Sequence, residues 1–268
     1  MPLLHQATVL ITGASAGLGA EFARQIAPQA KCIILAARRL ERLQSLAGEI
    51  ARPGLTVHTL RVDLSDPADT TRFIAEVKAL DAKVNVLINN AGLGDHGLFE
   101  QSEWPRIEAM IAVNVTALTR MAHGFVSDLI AAAPGAILNV SSIASFLPLP
   151  QMAVYAATKA YVTSFSEALR AELRGTGVRV VALCPGPVDT EFFEIAERPD
   201  SDAGQAAPDL MKVPAHTVVR EGLAALEADR PQVVPGKLVS GVMRLTAMTP
   251  MFLKRFALNR RGRGFKGH

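Results

Sequence analysis

A tyrosine and a lysine four positions apart, Tyr155 and Lys159, are the residues whose types and spacing first suggest chemistry in this sequence. On a helix, residues four apart lie on one face, so the phenol and the ammonium would be neighbours. A phenol has an ordinary pKa of about 10. A nearby cation lowers that pKa, so Tyr155 could exchange a proton with a substrate oxygen. On its own, the pair is better explained by an ordinary amphipathic helix, and the rest of the chain must decide.

A glycine turn follows the first apolar run, with Gly13, Gly17 and Gly19 in the pattern Thr-Gly-x-x-x-Gly-x-Gly. Gly13 permits a sharp turn, Gly17 lets the backbone approach a pyrophosphate, and Gly19 allows a helix to pack closely on a strand. The N-terminus of that helix offers free N–H groups and a positive potential. Because the pattern opens the first strand and helix of the chain, it predicts dinucleotide binding.

The elements that would position these residues alternate along the chain. Near-continuous apolar strands separated by helices predict a single doubly wound α/β domain of Rossmann type, with a parallel sheet and helices on both faces. Helices are expected from about Gly17 and Leu40, over Pro67–Leu80, and over the Ala-rich stretch Ala153–Leu173. The predicted strands are Ala7–Thr12, Lys31–Ala37, Leu55–Arg61, Val84–Ile88, Ala136–Val140, Val178–Leu183 and a last one ending near Gly236.

The length and composition suit a globular protein. The 268 residues are 49% hydrophobic and 20% charged, which is enough to bury a full core and argues against disorder. Cys32 and Cys184 lie in or at the end of predicted strands, so we expect buried thiols in a reducing compartment and no disulfide. We expect no signal peptide at Met1–Thr12 and no apolar run of the roughly 18 residues that a membrane span needs. The expected location is the cytoplasm.

The charge is distributed unevenly. The net charge is +3, yet the chain after Asp229 has nine basic and no acidic residues, which leaves 19 basic and 25 acidic residues before it. We expect a catalytic domain over residues 1–236 and a basic, partly apolar extension over residues 237–268, in which Pro250 breaks any long helix. The favoured interpretation is that the extension packs on a second subunit or on its own domain to about Leu258 and is followed by a mobile end over Arg260–His268; a disordered basic end throughout is an alternative. Membrane-surface contact is a less favoured alternative, and nucleic-acid binding is the least favoured.

With Ser142 thirteen positions before Tyr155, the glycine turn and the Tyr-x-x-x-Lys pair resemble the short-chain dehydrogenase/reductase family over about residues 5–235. Several further segments fit the family's pattern in order along the chain. These segments are Asp63-Leu64, Asn89-Asn90-Ala91-Gly92, Asn114 and Pro185-Gly-Pro-Val188-Asp-Thr190.

The resemblance implies catalytic roles in the interconversion of a carbonyl and a secondary alcohol. Tyr155 would be the general acid in reduction and the base in oxidation, and Lys159 would lower its pKa and hydrogen-bond the nicotinamide ribose. Ser142 would hold the substrate oxygen, whereas Ser141 would be structural. Asn114 would support a water link from Lys159 to solvent. No metal is expected, and a homodimer or homotetramer is implied.

The resemblance also implies a cofactor-binding set, to which Tyr155 and Lys159 contribute as well. Its other members are Gly13, Ser15, Gly17, Leu18, Gly19, Arg38, Arg39, Asp63, Leu64, Asn90, Ala91, Gly92, Pro185, Gly186, Val188 and Thr190.

The end of the second predicted strand bears on the choice between NADP(H) and NAD(H). An acidic residue there binds the ribose 2′-OH of NAD, whereas an arginine accommodates the 2′-phosphate of NADP. The chain has Arg38 and Arg39 at this point, with Arg38 where NADP-preferring relatives place a basic residue, so NADP(H) is predicted. A solvated helix start with Arg42 is the alternative, although arginines there oppose the helix dipole. Ala16 replaces a basic residue of some relatives, so strict exclusion of NAD is not predicted.

The substrate is not identified by the sequence. The irregular segment Thr190–Pro214 follows a strand and should cover the carboxyl edge of the sheet, where ligands bind. Ser145 stands where many relatives have glycine, near the expected substrate mouth. A dinucleotide-binding regulatory or scaffold protein on the same fold is the alternative function. An apolar carbonyl or alcohol is favoured by the nearby residues Phe146, Leu147, Leu149, Met152, Phe192 and Phe193.

Overall fold

Seven parallel strands form one sheet in the computed structural model, which describes residues 2–196 and 212–255. The spatial order is β3-β2-β1-β4-β5-β6-β7, and every neighbouring pair is parallel. This order confirms the predicted doubly wound domain, whose ligands bind at the carboxyl ends of the strands. The strands are β1 (Thr8–Thr12), β2 (Cys32–Ala37), β3 (Thr56–Arg61), β4 (Val86–Asn89), β5 (Gly135–Val140), β6 (Val178–Leu183) and β7 (Gln232–Val233).

Helices cover both faces of the sheet, and 3-10 turns at Phe99–Gln101 and Ile143–Phe146 join some of the elements. A π-helical segment, Ala112–Ala117, connects two of the helices. The α-helices are α1 (Gly17–Ile26), α2 (Leu40–Glu49), α3 (Pro67–Ala79), α4 (Trp104–Ile111), α5 (Leu118–Ala131), α6 (Ala153–Glu172), α7 (Glu191–Ala196), α8 (Ala215–Glu227) and α9 (Lys237–Met248).

The sheet has a hydrophobic core on each side, because successive strand residues point to opposite faces. Ile33 packs in the core formed with α1, α2, α8 and α9, whereas its neighbour Ile34 packs in the core formed with α3 and α5. Both faces are covered, so β2 is buried at every residue. The apolar character that predicted the strands therefore reflects burial on two sides.

One long helical run bears on the membrane question. Trp104–Ala131 is 28 residues long, and by length and composition it is the one helix among the described residues that could cross a membrane. The expectation that no apolar run reaches the length of a membrane span is therefore wrong by length and composition. Met121, Phe125 and Leu129 are fully buried in the core against the sheet, so we interpret the run as a core helix of the domain.

A chain of buried polar side chains links the centre of the sheet to α6. Asn89 on β4 donates from Nδ2 to Asn139 Oδ1 on β5 at 2.9 Å, and Asn139 Nδ2 donates to Ser166 Oγ on α6 at 3.0 Å. Ser166 Oγ in turn donates to the carbonyl of Val162 at 2.7 Å. Buried polar groups are costly unless they are paired, so this chain fixes the two strands and the helix relative to one another.

The segment Thr190–Pro214 is more ordered at its start than the sequence suggested. Residues 191–196 form α7, and residues 197–211 lie outside the described residues. The extension forms α9 as far as Met248, and Pro250 follows it. Val239 and Met243 of α9 are buried in the same core as α1 and α8, so one face of this helix packs on the chain's own domain.

Candidate active site

A cleft of about 1030 Å³ lies at the carboxyl ends of the strands. It brings together nearly all of the residues that the sequence predicted for the cofactor and the chemistry. Gly19 and Asn114 are the two predicted site residues that do not line it; both lie behind its wall, as described below.

The glycine turn is shaped for a phosphate group. Gly13 has a φ of +66° and Gly17 a φ of +54°, a backbone region that disfavours other residues. A Cβ on Gly19 would collide with the Gly13 carbonyl and lie 2.6 Å from Asn90 Nδ2. No side chain caps the first turn of α1 at Ala16, so its N–H groups remain available to an anion.

Asn90, directly after β4, stabilises the glycine turn by hydrogen bonds. Its Nδ2 donates to the carbonyls of Thr12 at 2.9 Å and Gly13 at 3.2 Å. In return, Thr12 Oγ1 accepts from the backbone N–H groups of Asn90 and Ala91 at 3.0 and 3.1 Å. The ends of β1 and β4 are thereby held together, and the floor of the cleft is built mainly from backbone.

Tyr155 and Lys159 lie one turn apart on α6, and both are buried. Lys159 Nζ donates to the carbonyl of Val140 at 2.9 Å and lies 5.8 Å from the centroid of the Tyr155 ring. Tyr155 and Lys159 therefore lie on one face of α6, as their spacing predicts. This face points into the cleft.

Burial controls the acidity of both groups. Burial raises the pKa of Tyr155 to about 12, and a hydrogen bond from Ser142 opposes this only in part. Burial also lowers the pKa of Lys159 to about 8, against the smaller, opposite effect of Cys184. The expectation that Lys159 brings the pKa of Tyr155 below its usual value does not hold in this structure, because burial of the phenol raises the pKa by more than the hydrogen bond from Ser142 lowers it.

The two neighbouring serines have different partners. Ser142 Oγ accepts from the Ala144 N–H at 3.1 Å and lines the cleft beside Tyr155. Ser141 also lines the cleft, but its Oγ donates to the carbonyl of Lys159 at 2.9 Å. The Ser145 hydroxyl donates to the Ser142 carbonyl at 2.7 Å, so this residue supports the turn and does not line the cleft.

Asn114 lies in the π-helical segment and is 1% exposed. Its Oδ1 accepts from the Leu93 N–H at 2.8 Å, while its Nδ2 donates to the Leu93 carbonyl at 2.9 Å and to Thr158 Oγ1 at 3.0 Å. A Cβ on Gly92 would lie 3.4 Å from both Asn114 Oδ1 and Lys159 Nζ. Asn114 thus holds the loop that passes between itself and Lys159.

Arginines surround the end of β2. Arg38 is exposed and lines the cleft close to Asp63. Burial alone would raise the pKa of Asp63, but hydrogen bonds from Ser65 and the charge of Arg38 hold it below its usual value. Arg39 donates to Ser15 Oγ at 3.2 and 3.4 Å, which ties the glycine turn to the start of α2.

Apolar residues line the part of the cleft beyond Tyr155. Leu147, Leu149, Met152 and Phe192 all face it as the sequence suggested, and the Phe192 ring is 5.7 Å from the Tyr155 ring. The ring fits because Gly94 faces it, and a Cβ there would lie 2.8 Å from Phe192 Cζ. Phe146 packs instead against the core on the α1 side. Phe193's side chain lies outside the described part of the structure.

Sequence reasoning missed two contributions to this wall. Val242, Met243 and Thr246 of α9 line the cleft, whereas the sequence predicts only a packing role for the extension. Glu191 also lines it and pairs with arginines far away in the sequence. The apolar spacing of α9 is the sequence signal that could have placed this helix at the cleft. No residue near Glu191 in the sequence indicates its pairing with the arginines.

The residues fit a nicotinamide dinucleotide. Positive-φ glycines, an uncapped helix start and arginines at the end of β2 suit its phosphates, and an apolar wall beside Tyr155 suits a reacting carbon. Within the described residues, no group of three or more His, Cys, Asp or Glu side chains could hold a metal ion.

Comparison with known proteins identifies the family. The short chain dehydrogenase family model matches residues 7–200, and the chain belongs to this family. The sulfoacetaldehyde reductase of Chromohalobacter salexigens is 38% identical over 205 residues, which cover 74% of this chain and 79% of that protein.

Solved structures are similar over almost the whole chain. A short-chain dehydrogenase from Sphingobium yanoikuyae in complex with NADPH has a TM-score of 0.78 and 31% identity, covering 98% of this chain and 96% of that one. A short-chain dehydrogenase/reductase from Burkholderia phymatum in complex with NAD also has a TM-score of 0.78, with 26% identity and coverage of 91% and 94%. Further neighbours hold NADP or a derivative. The protein is an oxidoreductase of this family.

Proposed function

We propose that this protein interconverts an apolar carbonyl compound and its secondary alcohol, with NADP(H) preferred over NAD(H) and Tyr155 as the proton donor and acceptor. The observation that carries the proposal is the buried group of Ser142, Tyr155 and Lys159 in one cleft with the glycine turn. A scaffold that only bound a dinucleotide would have no need to bury a lysine beside a phenol, because burying a cation is costly.

When bound, the nicotinamide would supply or accept the hydride, and the protein residues handle the proton. Ser142 holds the substrate oxygen by a hydrogen bond. With a pKa of about 12, Tyr155 keeps its proton at neutral pH and is ready to give it to that oxygen. The positive charge of Lys159 then stabilises the phenolate. Asn114 fixes the loop beside Lys159 and would support a water link that returns the proton.

The cofactor preference rests on the arginines around the end of β2. Arg38 lines the cleft there, Arg39 lies on the Ser15 side, and a planar guanidinium suits a 2′-phosphate. In fluorescence titration we expect NADPH to bind more tightly than NADH, and Arg38→Asp to reverse or abolish the difference. Equal affinity in the unmodified protein would contradict the preference.

The substrate class rests on the apolar wall. Leu149, Met152 and Phe192 leave few polar groups to recognise a substrate with several hydroxyls or charges. A panel of ketones, aldehydes and secondary alcohols is followed at the reduced nicotinamide absorbance band with both cofactors. We expect turnover of the bulky apolar members. Binding of NADPH without turnover of any panel member would instead favour the scaffold function.

We also propose a catalytic domain over residues 1–236, a homodimer or homotetramer, and a cytoplasmic location. Exposed apolar side chains on α4 and α6 support oligomerisation, because Trp104 is 64% and Tyr161 38% exposed. Light scattering of the purified protein tests this proposal. A monomer at micromolar concentration would contradict it.

A further inference from the structure

Glu191, the first residue of α7, is bound to two arginines on the cofactor side of the cleft. Its Oε2 accepts from Arg39 Nη1 at 3.1 Å, and its Oε1 accepts from Arg42 Nη1 at 2.7 Å. These arginines follow Arg38 along the chain, at the start of α2. The carboxylate of Glu191, which comes from the substrate side of the cleft, therefore pairs with the guanidinium groups of Arg39 and Arg42. These groups lie beside the position expected for the 2′-phosphate.

The helix α7 connects this ion pair to the reacting end of the cleft. The next residue, Phe192, contacts the Tyr155 ring. At the other end of α7, the Ala196 carbonyl accepts from the His96 N–H and from Arg106 Nη2, both at 3.0 Å. A change at Glu191 would thus alter the position of α7, because this short helix is fixed at Ala196 and contacts Tyr155 through Phe192.

We propose that Glu191 is a specificity-determining residue that competes with the cofactor's 2′-phosphate for Arg39 and Arg42, and so couples the phosphate to the position of α7. This inference rests on the proposed NADP(H) site. Hydrogen bonds from Arg42 and Arg39 hold the pKa of Glu191 below its usual value, so the group is charged at neutral pH. A phosphate with a charge near −2 repels that carboxylate and offers the arginines more acceptor oxygens.

The test is fluorescence titration with NADPH and NADH of the unmodified protein and Glu191→Gln. We expect the variant to bind NADPH roughly three- to tenfold more tightly, since two exposed ion pairs no longer compete, and NADH within about twofold. Glu49→Gln is the matched control, because Glu49 pairs with Arg24 outside the cleft and its loss should change neither affinity.

Hydrogen exchange of the peptide spanning residues 191–196 tests the coupling. In the unmodified protein, NADP+ should increase exchange relative to NAD+, and the difference should disappear in Glu191→Gln. Unchanged or weaker NADPH binding by the variant would overturn the proposal, because Glu191 would then orient the arginines and not compete for them. Failure of the unmodified protein to bind either cofactor would instead refute the proposed function.

A second inference comes from the outer face of α9. Leu238, Val242, Leu245 and Met248 form one stripe at helical spacing, and Leu245 is 71% and Met248 82% exposed. Phe252 continues the apolar surface beyond Pro250 and is 68% exposed. We call these residues the α9 surface. Its opposite face, with Val239 and Met243, is buried in the domain.

The charge of the segment identifies the partner that fits this surface. Lys237, Lys254 and Arg255 flank it, and all nine charged residues after Asp229 are basic. A second copy of the chain that packed through its own α9 surface would bring like charges together. An anionic bilayer complements both the charge and the apolar stripe, as for other interfacial helices.

We infer that the α9 surface docks on an anionic phospholipid bilayer. Because Val242, Met243 and Thr246 of the same helix line the cleft, docking would place the cleft mouth beside the lipid phase, where apolar carbonyl compounds partition. Contact with a membrane surface is a less favoured alternative on sequence alone. The exposed apolar side chains of the α9 surface now support it.

Flotation of the full chain with phosphatidylcholine vesicles, with and without phosphatidylserine, tests the inference. We expect co-migration with the anionic vesicles that falls at high salt and drops roughly tenfold or more in the double variant Leu245→Ser, Met248→Ser. Ile130→Ser removes an exposed apolar residue from α5 and should change nothing.

Two results would overturn the bilayer inference. One is the absence of co-migration with anionic vesicles at low salt. The other is a lower molar mass of the double variant in light scattering, which would show that a second copy covers the α9 surface. Unchanged NADPH binding by the double variant shows that it is folded.

Discussion

The floor and the far wall of the cleft are built in different ways. The floor is fixed by backbone and by buried hydrogen bonds, such as those of Asn90 to the glycine turn and of Lys159 to Val140. The far wall comes from α7 and α9, and Glu191 of α7 is held by exposed ion pairs. Exposed pairs contribute little to stability, and buried networks contribute more. The floor is therefore held more firmly than the start of α7, which depends on exposed ion pairs.

Of the changes to the floor, removing the proposed proton donor should have the largest effect. We expect Tyr155→Phe to lower turnover by roughly 10²- to 10⁴-fold, the usual contribution of general acid catalysis, while NADPH binding is retained. The measurement is steady-state turnover together with fluorescence titration. Tyr161→Phe is the matched control, since Tyr161 lies on the same helix but bonds Thr119 at the surface. Substantial turnover by Tyr155→Phe would refute the proton-transfer role.

Raising the pH should remove the charge of Lys159 without removing the proton of Tyr155. The pKa of Lys159 is lowered to about 8 and that of Tyr155 is raised to about 12, so only the lysine changes state between pH 8 and 10. We expect kcat/KM for carbonyl reduction to be constant below pH 8 and to fall about tenfold per pH unit above it. A profile that stays flat to pH 10 would show that the ammonium charge is not needed.

Alanine substitutions of two helical glycines, Gly19 and Gly48, distinguish the effect of close packing at the floor from the effect of helix propensity on stability. Gly19→Ala places a Cβ against Gly13 and Asn90, and we expect a loss of about 1–3 kcal/mol in the free energy of unfolding. Gly48→Ala on α2 meets nothing within 4 Å, and we expect a gain of about 0.5–1 kcal/mol. Urea unfolding measures both. Equal effects would mean that the glycine turn tolerates a side chain.

A change in the wall should have the smallest effect. Val242→Ala removes part of the apolar lining, and we expect the KM of bulky apolar substrates to rise roughly two- to fivefold, while the NADPH dissociation constant is unchanged. Small substrates of the same panel serve as the control because they do not reach α9. A larger effect on NADPH than on substrate would contradict the separation of floor and wall.

The sequence was sufficient for the floor because its determinants are local. The spacing of Gly13 and Gly17 is read within one strand–helix unit, and the spacing of Tyr155 and Lys159 within one turn. The wall depends on contacts between distant segments, such as Glu191 with Arg39 and Arg42, which no local pattern encodes. The sequence also predicts the wrong direction for the pKa shift of Tyr155. It shows that a lysine is near the tyrosine, but it does not show how deeply the folded chain buries the phenol.

The buried polar chain from Asn89 to Ser166 has a mechanical consequence for the active site. A helix lying on a sheet can roll about its axis and slide along it unless it is held at two points. Ser166 holds α6 at one point, and the bond from Ser141 to the Lys159 carbonyl holds it at another, about 10 Å away along the axis. Both degrees of freedom are thereby removed. A misplacement of about 1 Å can cost a hundredfold in rate, so these two bonds would keep the phenol of Tyr155 in place for the proposed proton transfer.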